Sequence, residues 1–268
     1  MKIAIVGTTG MLGYAMSKYL QQKHIQVIEV SRDNYNIAKG PMGHLEEIIR
    51  EADVVINGAG IVKPLIPNYP IEEVLKINSI FPRNLSILCQ KNGKKMFHIT
   101  TDCVYSGKKG NYSEEDYFDA EDVYGLSKNA GEVPTCMVLR TSFIGEEKGQ
   151  VRNLLEWARS QKGKAVNGFT NHIWNGVTTL HLSQVILEIL NKNLYRPGLF
   201  HIHSPDRVNK FELLQYLDLV YALELKISAT DTPEKCDRSL ATIHELTKIV
   251  ATKPILKQIQ EMRDFFNT

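Results

Sequence analysis

Short β-branched runs alternate with stretches of helical period along the first 160 residues. Apolar runs at 2–6, 26–30, 53–56, 95–100 and 136–140 have strand length, while 11–22, 43–51, 71–92, 122–132 and 151–161 have helical patterning. The expected fold is α/β, a doubly wound parallel sheet with helices covering both faces. Beyond residue 160 the pattern loosens into a Gly/Asn/aromatic loop at 167–176. A helix at 179–191 and a short strand at 198–201 should return to the sheet, and helices at 210–221, 239–250 and 253–266 form a small, mainly helical C-terminal lobe. The expected division is a main domain over 1–160 with a returning segment at about 177–203, and a second lobe made of 161–176 and 204–268. Pro197-Gly198 and Ser204-Pro205 are turn signals rather than linkers, so the lobes should pack intimately.

Composition mainly excludes. The 268 residues carry 32 Lys and Arg against 30 Asp and Glu, a net charge of +2, so neither nucleic acid nor another polyanion is expected as a partner on bulk electrostatics. Apolar residues at 43% and charged residues at 23% are ordinary for a soluble globular chain and exclude disordered or fibrous chains. No apolar run approaches the roughly 18 residues of a membrane span, and 3–6 is too short for a signal-peptide core, so no membrane association and a cytoplasmic location are expected. Cys89, Cys103, Cys136 and Cys236 lack any C-x-x-C pairing and read as free thiols. His201 and His203 could share a strand face, but no carboxylate or cysteine cluster accompanies them, so no metal is expected.

Residues 7–13 read Gly-Thr-Thr-Gly-Met-Leu-Gly, immediately after the first strand and opening a helix. At that position Gly7, Thr9, Gly10, Met11, Leu12 and Gly13 would let backbone N–H groups and a helix N-terminus approach a pyrophosphate, the dinucleotide turn of a Rossmann-type domain. About twenty residues further on, the second strand ends before Ser31-Arg32, where NAD-preferring sites place an acid. The guanidinium of Arg32 suits a 2′-phosphate, so NADP(H) is preferred; NAD(H) is the alternative if the strand runs on and Asp33 faces the ribose. Asn57, Gly58, Ala59 and Gly60 place small residues where the third strand should pass the cofactor.

Tyr124 and Lys128 stand four residues apart, and so project from one face of a helix. A neighbouring ammonium favours the phenolate of a tyrosine, which would activate it for acid–base work. The fourth strand ends in Thr100-Thr101-Asp102 at the carboxyl edge of the sheet, where Thr101 can polarise a carbonyl and Thr100 borders the cofactor.

This order of glycine turn, Thr-Thr-Asp strand end and Tyr/Lys helix resembles the short-chain dehydrogenase/reductase superfamily. The stretches 100–107 (TTDCVYSG), 124–128 (YGLSK) and 139–143 (LRTSF) are similar to its extended branch typified by dTDP-4-dehydrorhamnose reductase, a likeness carried by residues 1–145. The resemblance implies NADPH-dependent reduction of the 4-keto group of a nucleotide-linked 6-deoxysugar in surface-polysaccharide precursor synthesis. It also implies Tyr124 as proton donor, Lys128 on the nicotinamide ribose, Thr101 on the carbonyl, Asn78 as support for the active-site helix and Phe143 as an aromatic against the sugar. Arg238 falls where extended members often bind the substrate diphosphate, an exposed helix-start arginine being the alternative; Lys63 is equally ambiguous. Asn171 and Trp174 of the 167–176 loop would contact sugar or base, or Trp174 would instead fill the lobe junction. His172 and His181 read as structural.

Departures from the pattern narrow the chemistry. The related 4,6-dehydratases carry a glutamate where this chain has Cys103, so dehydration is disfavoured. An NAD-dependent nucleotide-sugar epimerase and a non-catalytic NADP-binding regulatory subunit are the competing functions; a short second lobe and Arg32 argue against the first, intact Thr101, Tyr124 and Lys128 against the second. Among soluble enzymes the commonest assembly is a homodimer.

Overall fold

A computed structural model of the chain describes residues 1–147 and 153–267. In chain order the elements are β1 (Lys2–Val6), α1 (Met11–Gln22), β2 (Gln26–Val30), α2 (Met42–Ile48), β3 (Val54–Asn57), α3 (Ile71–Leu75), α4 (Phe81–Lys91), β4 (Lys95–Thr101), α5 (Val123–Ala130), β5 (Met137–Thr141) and β6 (Phe143–Ile144). There follow α6 (Leu154–Ser160), β7 (Ala165–Phe169), β8 (His172–Trp174), β9 (Val177–Thr178), α7 (Thr179–Asn191), β10 (Gly198–His201), β11 (Val208–Asn209), α8 (Lys210–Tyr221), β12 (Lys226–Thr230), β13 (Cys236–Asp237), α9 (Glu245–Val250) and α10 (Ile255–Asn267). The start of the helix expected over 151–161 lies outside the described residues.

Six strands form one parallel sheet in the order β10-β5-β4-β3-β1-β2. Strand direction turns the side chains alternately to its two faces, and both faces are apolar. Ile3, Ile5, Val54, Ile56, Phe97, Ile99, Met137 and Leu139 meet α1 and α7 on one side. Ala4, Val6, Val55, Met96 and Val138 meet α2 and α4 on the other. This two-sided burial is why the strand runs show no polar alternation. The strand order reverses between β1 and β3, so the crevice for a dinucleotide opens at their carboxyl ends, between the Gly7 turn and Asn57.

The single helix expected at 71–92 is α3 and α4 joined by a π turn over Lys76–Ile80. That extra residue rotates Asn78 inward, where its side chain is completely buried.

The second lobe has its own core, in which Leu213, Leu214 and Leu217 of α8 pack against Ile255, Ile259 and Met262 of α10 and Leu155 of α6. The segment expected to be a loop at 167–176 is instead strand, turn and strand: β7 pairs with β12, and β8 lies between β11 and β13. The partners of these two- to five-residue strands come from up to 64 residues away (236 − 172), so no local periodicity announces them. The helix expected at 239–250 begins only at Glu245, because its first residues are drawn into loop contacts. Leu240 exchanges two hydrogen bonds with the Asn175 side chain (2.8 and 2.7 Å), and Ala241 N–H donates to Tyr112 O (2.7 Å). Among the described residues no helix is long and apolar enough to cross a membrane.

Candidate active site

The turn after β1 is built for close approach. Gly7 has a positive φ of 94°, and a Cβ on Gly13 would stand 2.1 Å from Gly7 O, so α1 can sit on this turn only with glycine there. A Cβ on Gly7 would lie 3.0 Å from Ala59 Cα, which brings the Asn57–Ala59 turn directly against it. Helix α1 is preceded by Gly10 with no side-chain cap and has no acid in its first turn, and among the described residues the buried Thr8 hydroxyl has no partner. Bare N–H groups, glycine clearance and an unpartnered hydroxyl fit a dinucleotide pyrophosphate. Leu12 itself is buried in the sheet core, so only its backbone faces this site, while Met11 Sδ accepts from Asn153 Nδ2 (3.3 Å). Thr9 and Gly10 are exposed.

Strand β2 stops at Val30, and the next four residues form a local turn: Ser31 N–H donates to Asn34 Oδ1 (2.9 Å), and Ser31 Oγ to Asp33 Oδ2 (3.2 Å). Arg32 is exposed and donates to Tyr69 OH (3.2 Å). Tyr69 thus joins the expected 2′-phosphate position, although nothing local in the sequence links it to Arg32.

At the end of β3, buried Asn57 accepts from Ala59 N–H (3.2 Å) and donates to His98 Nδ1 (3.2 Å) on β4, which ties the Asn57–Gly58–Ala59 turn to the sheet. Asn78 does the same for the next segment. Its Oδ1 accepts from Ile61 N–H (2.8 Å), and its Nδ2 donates to Ile61 O (3.0 Å) and to Ser127 Oγ (3.1 Å). Ser79 Oγ donates to Ser127 O (2.7 Å), and a Cβ on Gly131 would sit 2.1 Å from Asn78 O, so the π turn and α5 are in close backbone contact.

Helix α5 is capped by Asp122, whose Oδ1 accepts from Gly125 N–H (2.9 Å). The cap sets the rotation that turns Tyr124 and Lys128 toward the end of β4. The Thr101 side chain lies within hydrogen-bonding reach of the Tyr124 phenol, while Thr101 Oγ1 accepts from Cys103 N–H (3.1 Å) and donates to Asp102 Oδ1 (3.2 Å). Lys128 is buried and donates from Nζ to Ile99 O (3.0 Å). A Cβ on Gly60 would lie 3.6 Å from that ammonium. Thr100 is buried, and its hydroxyl has no partner among the described residues.

The electrostatics differ from the expectation of an activated phenolate. Burial raises the Tyr124 pKa well above its ordinary value, and Cys103, Asp102 and Asp122 raise it further, against the Thr101 hydrogen bond. Burial brings Lys128 down to about 8, with Glu132 opposing. At neutral pH the phenol therefore carries its proton, the form that donates to a carbonyl oxygen being reduced. Cys103 is pushed up to about 12 by burial and by Asp102, so it stands at the site as a neutral thiol.

In the second lobe, Arg238 donates from Nε to Tyr105 O (2.8 Å) and from Nη2 to Ser106 O (3.3 Å). It borders two clefts of about 220 and 540 Å³ that share Ser106, Lys108 and Arg238; the first reaches Asp122, the second His172 and Cys236. Lys63 stands at the rim in an ion pair with Asp122 (2.8 Å). The structure does not bring the other expected substrate residues into these clefts. Asn171 spends its amide on Thr232, donating to its carbonyl (2.7 Å) and accepting from its N–H (3.1 Å). Trp174 is buried, donates from Nε1 to Ser142 Oγ (2.9 Å) and fills the lobe junction. Phe143 is half-buried beside the sheet core.

Sequence reading missed the network behind Arg238. Tyr105 stacks on Tyr112 (centroids 4.1 Å apart) and receives a hydrogen bond from Arg140 Nη1 (2.6 Å), which also reaches His201 Nε2 (3.1 Å). Arg140 pairs in turn with Glu132, just beyond α5 (3.1 and 2.5 Å). The arginine in the 139–143 motif was the available signal.

A parallel sheet with a glycine turn at its switch point, and a Thr/Tyr/Lys cluster at its carboxyl edge, define an NAD(P)H-dependent oxidoreductase of the extended short-chain dehydrogenase/reductase class. Residues 1–256 match the family described as RmlD substrate binding domain, and the chain belongs to that family. The spore coat polysaccharide biosynthesis protein SpsK of Bacillus subtilis is 24% identical over 247 residues, 87% of this chain and 84% of that one. The dTDP-4-dehydrorhamnose reductase of Mycobacterium tuberculosis is 26% identical over 154 residues, 53% of this chain and 50% of that one. In structure, the dTDP-4-dehydrorhamnose reductase of Bacillus anthracis, solved in complex with NADP, superposes with a TM-score of 0.81 at 19% identity, over 100% of this chain and 99% of that one; this likeness is one of fold.

Proposed function

We propose that this chain reduces the 4-keto group of a nucleotide-linked 6-deoxysugar with NADPH, in the synthesis of surface-polysaccharide precursors. The observation that carries the reading is the meeting of Thr101, a protonated Tyr124 and Lys128 at the carboxyl edge of the sheet, beside the Gly7–Gly13 turn. Family membership and the dTDP-4-dehydrorhamnose reductases among the relatives support it.

NADPH, when bound, supplies the reducing equivalent. Thr101 Oγ1 orients the substrate carbonyl, and Tyr124 OH donates its proton to the carbonyl oxygen as negative charge builds there. Lys128 holds the ribose side of the cofactor, with Asn78 and Ser127 fixing the helix that carries it. Arg32 beside Tyr69 takes the 2′-phosphate. The lobes divide the work: residues 1–160 with the returning segment 177–203 hold the dinucleotide, and 161–176 with 204–268 cover the sugar nucleotide, Arg238 and Lys63 facing it.

The test is turnover of enzymatically generated 4-keto nucleotide sugars with NADPH, followed by nicotinamide absorbance. Tyr124→Phe should lose about 10²- to 10⁴-fold in kcat while binding NADPH as the parent does. Unchanged turnover in that variant would remove Tyr124 as the proton donor.

A further inference from the structure

Three segments that meet at the site converge on one buried guanidinium. Helical hydrogen bonding carries past the end of α5: Gly131 keeps helical dihedrals, and Glu132 N–H donates to Asn129 O (3.0 Å). Tyr124, Lys128 and Glu132 therefore stand at four-residue intervals along one helix face. In the parallel ladders Arg140 of β5 lies between Thr100 of β4 and His201 of β10, and the next residue, Thr141, pairs with Thr101. Nε and Nη2 of Arg140 donate to the two carboxylate oxygens of Glu132, in a pair with side-chain exposures of 3% and 11%.

The remaining guanidinium nitrogen serves the other segments. Arg140 Nη1 donates to Tyr105 OH (2.6 Å) and to His201 Nε2 (3.1 Å). His201 Nδ1 faces the carbonyls of Tyr112 (3.1 Å) and Ala241 (2.7 Å), so it carries the ring proton and leaves Nε2 as the acceptor. Tyr105 is joined to Thr101 by a tight turn, in which Cys103 N–H donates to Thr101 Oγ1 (3.1 Å) and Tyr105 N–H to Asp102 O (3.0 Å). The Tyr105 ring is held by its stack on Tyr112, and its hydroxyl donates to Ser113 O (2.8 Å). One guanidinium thus grips the far end of the helix that bears Tyr124 and Lys128, and the far end of the turn that follows Thr101. A buried ion pair adds little net stability over an apolar pair of the same volume, because desolvation offsets its attraction; what a bidentate fork supplies is a fixed distance and angle.

We propose that Arg140 is a positioning residue for the reaction: through Glu132 and Tyr105 it fixes the spacing of Tyr124 and Lys128 from Thr101. The assignment rests on the reductase reading above. Arg140 acts through its two partners and takes no part in the proton transfer itself. Its planar fork suits the task, since one edge engages Glu132 and the opposite nitrogen engages Tyr105. A lysine ammonium is a point charge that would satisfy the carboxylate and leave the Tyr105 hydroxyl unheld.

Steady-state reduction of 4-keto nucleotide sugars by NADPH, with NADPH titration and urea denaturation of the same full-length proteins, tests this in Arg140→Lys, Tyr105→Phe and the double variant Glu132→Gln/Arg140→Met. Arg140→Lys keeps the Glu132 charge matched and Tyr105→Phe keeps the ion pair whole, yet each cuts the link between the two arms. Each should lose about tenfold to a hundredfold in kcat, the scale of a misplacement of up to about 1 Å, with KM for the sugar nucleotide changing less than kcat. NADPH affinity should stay within about threefold of the parent, since β4 and β3 separate Arg140 from the glycine turn after β1. The double variant leaves no buried charge, so its urea midpoint should stay near the parent's while its kcat stays low. Parent-like kcat in Arg140→Lys or in the double variant overturns the positioning role, because matched charge or filled volume would then suffice, and leaves the reductase reading standing. Should the double variant not fold, kcat in Tyr105→Phe within about threefold of the parent overturns the role by itself. A fall in kcat that only follows the loss of folded protein across the variants overturns it as well. A parent protein that binds NADPH but reduces none of the 4-keto nucleotide sugars overturns the reductase reading and this proposal with it.

Discussion

Replacing Asn78 with alanine should damage stability and turnover together, because one side chain ties three segments. The residue is wholly inaccessible, as nearly are Ile61 at 2% and Ser127 at 1% exposure. Truncation removes the bonds to Ile61 N–H, Ile61 O and Ser127 Oγ. Ser127 retains its donation to Tyr124 O (3.0 Å), so the orphaned groups are the two backbone groups of Ile61. At about 1–3 kcal/mol for each of the two buried unsatisfied groups, the cost is about 2–6 kcal/mol. For a chain of this size that lowers Tm by about 5–15 °C. Gly60, which lies between Asn78 and Lys128, then loses its strap, and a misplacement of about 1 Å at the reacting groups is worth about a hundredfold in kcat. Asn78→Asp keeps the acceptor for Ile61 N–H but sets a carboxylate against Ile61 O, so it should do no better. Chemical denaturation and steady-state kinetics read both effects. A destabilisation below about 1 kcal/mol with kcat within about threefold of the parent would refute this account of the π turn.

Two further outcomes follow from local geometry. Gly13→Ala should abolish NADPH binding measured by fluorescence titration, since its Cβ would fall 2.1 Å from Gly7 O and α1 must move off the pyrophosphate turn; retained affinity would show that the turn does not seat the cofactor. The urea midpoint should fall as pH drops from about 6.5 to about 4: burial, then Arg140 and His203, hold His201 at about 4 against Glu114, so the unfolded chain takes up the proton first. Stability from this source is complete above 6.5 and lost by the time pH passes 4. His201→Asn should flatten that limb, and an equally steep limb in the variant would refute the assignment.

Legibility of the chain followed the range of the interactions. Strand β1, the glycine turn and α1 were readable because apolar periodicity and glycine placement act within a dozen residues. The placement of Tyr124 and Lys128 on one helix, and of Thr101 at a strand end, was readable through helical spacing and apolar patterning. Trp174 and Asn171 were not: both sit in a segment of loop-like composition, and only pairing with β11, β13 and the Thr232 turn settles where their polar atoms go. The π turn was equally hidden, since 71–92 has continuous helical character and the bulge is stabilised by Ile61 and Ser127.

By itself the sequence determined the parallel sheet, the glycine turn after its first strand and the shared helix face of Tyr124 and Lys128, because each rests on steric and hydrophobic rules that neighbouring residues satisfy among themselves. The tertiary structure alone decided the protonation of the Tyr124 and Lys128 cluster and which residues line the clefts beside Arg238. Burial of Tyr124 outweighs any activation read from a four-residue spacing, and the polar atoms of Asn171 and Trp174 find their partners only when β11 and β13 flank β8. Desolvation and charge balance are sums over everything packed around a group, and no local pattern in the chain carries that sum.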